Sequence, residues 1–79
     1  MQFPNERQLQ ALREGYPAGT RIRLIHMGSD PQPIEDGTTG SVSYIDDIGS
    51  IHIKWDNGRG LALIPGEDNF TIITEEEIT

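Results

Sequence analysis

The dipeptide Asn57-Gly58 constrains the fold of this chain more than any other feature, because it predicts a two-residue β-hairpin turn. A type I′ turn of this kind needs positive φ at both central residues, and it fixes which residues of the flanking strands face each other. Asp56 then faces Arg59 as an opposite-charge pair. One face of the predicted hairpin forms the core and carries Ile51, Ile53, Trp55, Gly60, Ala62 and Ile64.

The other face of the predicted hairpin carries Leu61 and Leu63 among polar side chains. Leaving both leucines in water would forgo roughly 1.5–3 kcal/mol of burial free energy for each. We therefore expect this face to be covered, either by a helix of the same chain or by a second subunit of a homo-oligomer. An adjacent pair of leucines is more suggestive of an interface than a single exposed one.

A short helix is predicted over residues 5–14, with Asn5 as the N-cap and Gln8 completing a capping box. Gly15 is expected just beyond its end, and Pro17 prevents the helix from resuming. A helix of about ten residues does not persist alone, so its leucine stripe must dock on the chain's own sheet or on a partner chain. The residues predicted to form this interface are Leu9, Leu12, Leu61 and Leu63.

Five short strands are predicted after the helix, over residues 20–27, 38–45, 50–56, 59–64 and 70–73. Gly40, inside the second of them, predicts a bulge or a sharp bend. The loop over residues 28–37 contains two prolines and is either a binding lid or a plain connector.

These elements predict a mainly β fold: a small five-stranded SH3-like barrel preceded by a short N-terminal α-helix. We expect residues 1–17 to form the helix and a linker, residues 18–73 the barrel, and residues 74–79 an acidic tail.

The charge balance and the lack of long apolar segments argue against nucleic-acid-binding, membrane-spanning and secreted proteins. Thirteen acidic residues against six basic ones give a net charge of −7, which disfavours binding to nucleic acid backbones. No apolar run approaches the length of a membrane span, and no signal peptide is visible at the N-terminus. We therefore expect a cytoplasmic protein, in the host cell if a phage encodes it, with no membrane partner.

No catalytic motif is present, so the sequence predicts neither an enzyme nor a bound cofactor. Asp46-Asp47 has side chains that could bind a cation. Adjacent aspartates in a tight turn more often accept hydrogen bonds from backbone N–H groups, and we predict no metal site.

A cationic patch is the positive sign of function in this sequence. Basic side chains project outward from the first strand and from the central hairpin, and Tyr44, if accessible, could stack on a base. The alternative is that these cations form surface ion pairs with Asp46, Asp47 and Asp56. The residues predicted to bind a small anionic ligand are Arg21, Arg23, Tyr44, His52, Lys54 and Arg59.

The string Ile45-Asp46-Asp47, then Trp55-Asp56-Asn57-Gly58, then Pro65-Gly66-Glu67-Asp68, resembles a family of short bacterial, phage and mobile-element proteins described as a domain of unknown function. The resemblance covers residues 16–73 and leaves the N-terminal helix outside. It implies a small SH3-like fold and a phage or mobile-element setting. No catalytic residue can be carried over from it.

Three functions are compatible with these features. The first is an oligomeric, non-enzymatic binding protein that sequesters a small anionic ligand, such as a cyclic nucleotide that serves a host defence system as a signal. The second is a protein–protein adaptor or inhibitor that docks on a host protein. The third, a nucleic-acid accessory domain, is disfavoured by the net charge.

Overall fold

One helix and five strands make up the described parts of the computed structural model, residues 4–28 and 31–73. The predicted acidic tail, residues 74–79, lies outside them. The strands pair antiparallel in the order β4-β3-β2-β1-β5, which confirms the mainly β class with one N-terminal helix. The elements are α1 (Glu6–Gly15), β1 (Arg21–His26), β2 (Thr39–Ile45), β3 (Ile51–Trp55), β4 (Ala62–Leu63) and β5 (Asn69–Ile72).

The sheet is open rather than closed into the predicted barrel. Within the described residues, the two edge strands β4 and β5 do not pair with each other. An isolated bridge between Pro65 and Asp68 lies in the segment that connects them. The small β fold is therefore as expected, but its closure is not.

The N-terminus of α1 is as the sequence predicted, whereas its C-terminus differs. The Asn5 side chain accepts a hydrogen bond from the Gln8 backbone N–H (2.9 Å), and the Gln8 side chain accepts one from the Asn5 N–H (2.9 Å). Gly15 belongs to the helix instead of following it. Tyr16 is the C-cap, and its N–H donates to the Leu12 carbonyl at 2.9 Å, so the last turn closes without a left-handed residue.

The helix packs on the chain's own sheet, beside β2. Leu9 is buried in the hydrophobic core, and Leu12 is partly buried against it. Arg13 ties the helix to the end of β2, where its guanidinium donates to the Ile45 carbonyl (3.4 Å) and contacts Asp47 (3.3 Å). The helix was expected to dock either on its own sheet or on a partner chain, and its leucine stripe docks on its own sheet.

The hairpin between β3 and β4 has a three-residue loop instead of the predicted two-residue turn. The Gly58 N–H donates to the Trp55 carbonyl (3.0 Å), and the Trp55 N–H donates to the Arg59 carbonyl (3.3 Å). Gly58 has a φ of +88°, whereas no described residue other than glycine has positive φ. This is a type I turn followed by a left-handed glycine, the usual geometry of a three-residue hairpin.

The longer loop shifts the register of the hairpin by one residue and exchanges the two faces of its second strand, while Ile51, Ile53 and Trp55 stay buried as predicted. Leu63 pairs with Ile51 and is fully buried, and Leu61 packs against the core, whereas Ile64 is 44% exposed. The prediction of an uncovered face bearing Leu61 and Leu63 was therefore wrong. The interface of Leu9, Leu12, Leu61 and Leu63 was predicted because these leucines were expected to need cover from another chain. All four pack in or against the core of the chain itself, so this reason no longer applies.

Gly40 is needed for close packing rather than for the predicted bulge. A Cβ atom at this position would lie 2.6 Å from Ile53 Cγ2 and 2.9 Å from the Lys54 carbonyl oxygen. The bulge lies three residues later, because Val42 pairs with Ile53 while Tyr44 pairs with the next residue, His52. Ser43 is the extra residue.

The described part of the loop over residues 28–37 is anchored, which favours a connector over a lid. Ile34 lies in the core. Arg59 donates to the backbone carbonyls of Gln32 (2.6 Å) and Pro33 (3.1 Å). The buried Asp68 carboxylate accepts the Gly28 N–H at 2.7 Å, so residue 28 and the middle of the loop are both tied to the second half of the chain.

Candidate functional site

The polar side of the sheet brings most of the predicted site residues together. Side chains alternate along β1 and β3, so the residues between the buried isoleucines and leucines point away from the core. The register aligns Arg21, Ser41 and Lys54 in one row across three strands, and Tyr44 and His52 in the next. We call this surface the outer face. Its members are Arg21, Arg23, Thr39, Ser41, Tyr44, His52 and Lys54.

The bulge at Ser43 is what places Tyr44 on the outer face. In a regular strand Val42 and Tyr44 would point to the same side. The extra residue lets Val42 and Ile45 both enter the core while Tyr44 points outward, 57% exposed. Sequence reasoning missed this, although the three-residue spacing of two buried apolar residues is a sign that the strand is not regular.

Tyr44 and His52 form a stacked aromatic pair. Their ring centroids lie 4.2 Å apart, and the ring planes meet at only 7°. One face of His52 is thus covered by Tyr44, while the tyrosine keeps exposed ring surface. A flat, exposed aromatic surface of this kind can stack on the ring of a ligand.

Asp46 holds His52 from the turn between β2 and β3. Its Oδ2 lies 2.8 Å from His52 Nε2, and its Oδ1 accepts the backbone N–H groups of Ile48 (3.1 Å) and Ser50 (2.9 Å). The hydrogen bond with His52 and then the backbone bonds lower the pKa of Asp46. The predicted capping of backbone N–H groups is confirmed for Asp46, and its contact with His52 is one of the pairings predicted as the alternative to a ligand site.

Arg21 is neutralised by Asp56 at the other end of the outer face. Two hydrogen bonds join the guanidinium to the carboxylate, at 2.9 and 2.6 Å, and Thr39 donates to the same carboxylate. The hydrogen bonds from Arg21 and then from Thr39 lower the pKa of Asp56 to about 2, and the same contact raises the pKa of Arg21. The predicted pairing of Asp56 with Arg59 was wrong.

Arg59 does not join the other candidates. The shifted register sets it opposite Trp55, and its side chain extends to the loop carbonyls of Gln32 and Pro33. The Arg59 guanidinium, which the sequence predicted to bind an anionic ligand, therefore donates to backbone carbonyls instead. Its role in the structure is to hold the loop.

Lys54 and Arg23 are the outer-face cations without an acidic partner among the described residues. Lys54 is exposed and lies beside Ser41, whereas Arg23 is half-buried between Thr39 and Thr71. The contacts with aspartates expected as the alternative are thus present for Arg21 and His52, and the described residues show none for Lys54 and Arg23. The outer face can offer a ligand an aromatic surface and an ammonium group that has no acidic partner in residues 4–28 and 31–73.

Nothing in residues 4–28 and 31–73 groups three or more His, Asp or Glu side chains so that they could hold a metal ion. Over the same residues, no helix has the length and apolarity to cross a membrane.

A family model described as a domain of unknown function, DUF4314, matches residues 5–73. The chain belongs to the DUF4314 family. The match begins at the N-cap of α1, so the helix is part of the family domain, contrary to the expectation that it lies outside. A comparison with curated proteins gives no match. Because the family description states no activity, the function must be inferred from the outer face.

Proposed function

We propose that this chain is a non-enzymatic binding protein whose outer face takes a small anionic ligand with a flat ring, such as a nucleotide. The observation that carries the proposal is the exposed Tyr44 ring, stacked on His52 and next to a lysine with no acidic partner in the described structure. Base stacking on an aromatic side chain contributes about 1–3 kcal/mol, and Lys54 supplies the attraction for an anionic group.

The spacing of these groups fits one small molecule. His52 and Lys54 are alternate residues of β3 on the same side of the sheet, so their Cα atoms are about 7 Å apart. A ring over Tyr44 therefore leaves an attached phosphate within reach of the Lys54 side chain. The hydroxyl of Ser41, directly across from Lys54, is a further hydrogen-bond donor.

The net charge of −7 does not prevent binding at this face. At physiological ionic strength the Debye length is about 8 Å, so a ligand responds mainly to the charges nearest to it. The outer face carries three cationic side chains and has two carboxylates beside it. The cations are Arg21, Arg23 and Lys54, and the carboxylates are Asp46 and Asp56. The local charge is thus more favourable to an anion than the charge of the whole chain.

The narrower form of the proposal is that the ligand is a nucleotide-type immune signal, which a phage or mobile-element protein sequesters in the host cytoplasm, as a homo-oligomer. What supports it is the motif resemblance, together with the ligand-binding features of the outer face. Cyclic nucleotides belong in the ligand panel for this reason, and light scattering measures the assembly.

Exposed isoleucines give the adaptor hypothesis a separate basis. Ile25, Ile48, Ile64 and Ile72 are each exposed by 44% or more, and isolated apolar residues of this kind are common on protein surfaces. A partner protein bound through them would be unaffected by Tyr44→Leu and Lys54→Gln. The outer-face variants therefore separate the two functions.

Isothermal titration with nucleoside monophosphates and cyclic nucleotides tests the proposal. Tyr44→Leu and Lys54→Gln should each weaken binding about tenfold, since each removes one of the two contacts. Arg7→Gln, an exposed residue of α1, makes the same change in net charge as Lys54→Gln and should leave binding unchanged. Failure of a folded protein to bind any member of the panel would overturn the proposal, as would an equal loss in the Arg7 variant.

A further inference from the structure

We infer that the outer face selects ligands with a single phosphate group and gains nothing from a polyphosphate. This rests on the proposed function and concerns the charge of the ligand that the same site prefers. The reason lies in what flanks Lys54 along β3.

Lys54 stands between two carboxylates on the outer face. Alternate residues of β3 point outward, so His52 and its partner Asp46 lie on one side of the lysine. Asp56, which follows the strand, lies on the other side and is bound to Arg21. Each position is about 7 Å from the next along the strand.

Both carboxylates carry a negative charge at neutral pH, since an ordinary aspartate is already ionised there and their hydrogen bonds lower the pKa of each further. Their partners are already engaged, with Arg21 on Asp56 and His52 on Asp46. A phosphate at Lys54 meets an ammonium group that has no acidic partner among the described residues. A second or third phosphate, extended along the strand in either direction, meets a carboxylate that is already hydrogen-bonded to Arg21 or His52.

Arg23 does not extend the site for a linear polyphosphate. It lies two strands away from Asp56, in the row that contains Thr39. Its Cα atom is roughly 12 Å from that of Lys54 by strand spacing and residue rise. A phosphate chain from Lys54 to Arg23 would have to pass the Arg21–Asp56 pair and Thr39.

The test is a series with one base: a nucleoside and its mono-, di- and triphosphates, titrated without divalent metal. The monophosphate should bind about tenfold more tightly than the nucleoside, and the di- and triphosphates no more tightly than the monophosphate. Affinity that rises with each added phosphate would overturn this inference and leave the proposed function standing. No binding of any member would instead refute the proposed function.

Two conservative variants identify the cause. Asp46→Asn and Asp56→Asn each keep one of the two oxygen acceptors and remove one negative charge, so each should raise triphosphate affinity relative to monophosphate. Asp36→Asn changes net charge equally, but Asp36 lies in the loop before β2 and contacts His26, so it should not change this ratio. An equal change in all three variants would attribute the selectivity to overall charge and contradict the inference.

Discussion

The two faces of β3 differ in what they contribute to the molecule. Ile51, Ile53 and Trp55 on the inner face are almost completely buried in the core. His52 and Lys54 on the outer face are partly or largely exposed, and the contact of His52 with Asp46 lies at the surface. Buried side chains of this size contribute several kcal/mol, whereas surface ion pairs contribute about 0–1 kcal/mol. Inner-face changes should therefore act on stability, and outer-face changes on binding.

The largest expected effect is at Leu63, which tests the boundary between the two faces. Leu63→Ala should lower the free energy of unfolding by about 2–5 kcal/mol, because it leaves a cavity opposite Ile51. Ile64→Ala, at the adjacent residue, should cost much less, since that side chain is 44% exposed. Urea denaturation followed by the fluorescence of the buried Trp55 measures both.

If Ile64→Ala lowered the free energy of unfolding more than Leu63→Ala, the two-residue turn would be supported and the three-residue loop refuted. A small domain has little stability to spare, so Leu63→Ala has a milder companion in Leu63→Met. This nearly volume-conserving change should cost less than about 1.5 kcal/mol and keep the protein folded.

The next effect in size is at Gly40, where the inner face has no room for a methyl group. Gly40→Ala would set its Cβ 2.6 Å from Ile53 Cγ2 and 2.9 Å from a backbone oxygen, and overpacking of this kind costs about 1–3 kcal/mol. Gly60→Ala is the matched control, because a Cβ there meets nothing within 4 Å and its φ is not positive. Equal stability changes in the two variants would contradict the close approach of β2 to β3.

Local signals predicted the elements, and long-range packing decided the details. The capping box of Asn5 and Gln8 and the inward alternation of Ile22 and Leu24 are properties of neighbouring residues, and the structure confirms them. The hairpin register could not be predicted in the same way, because Asn57-Gly58 suits both loop lengths. The three-residue loop is the one that buries Leu63 against Ile51.

The candidate site shows the same division between local and long-range information. The sequence identified the polar side chains of the first strand and the central hairpin, but it paired Asp56 with its neighbour Arg59. The actual partner, Arg21, is 35 residues away in the sequence. The sheet places β1 and β3 on either side of β2, and the Arg21 side chain reaches Asp56 across that one strand. Likewise, the stack of Tyr44 on His52 depends on the bulge at Ser43, which a regular two-residue period does not predict.

The smallest stability effect belongs to the outer face, at the Arg21–Asp56 pair. The pKa of Asp56 is lowered to about 2, from about 3.9 for an unperturbed aspartate, so its ionised form stabilises the fold. This contribution is fully present above the unfolded pKa and is lost as pH falls through the folded one. Because the Asp56 side chain is 47% exposed, solvent screening limits the contribution to about 1 kcal/mol or less.

Asp56→Asn should therefore be slightly less stable than the native protein at pH 7, and the part of the difference that is due to charge should shrink below about pH 5 and be lost below about pH 2. Urea denaturation across this pH range measures it, and high salt should reduce the difference at pH 7 because the pair is partly exposed. The single oxygen of the asparagine can still accept the hydrogen bond from Thr39, but one of the two hydrogen bonds from Arg21 is lost, so the dependence on pH and salt is what identifies the contribution of the charge. A difference that stayed constant with pH and salt would instead assign the contribution to hydrogen-bond geometry rather than to the charge of the pair.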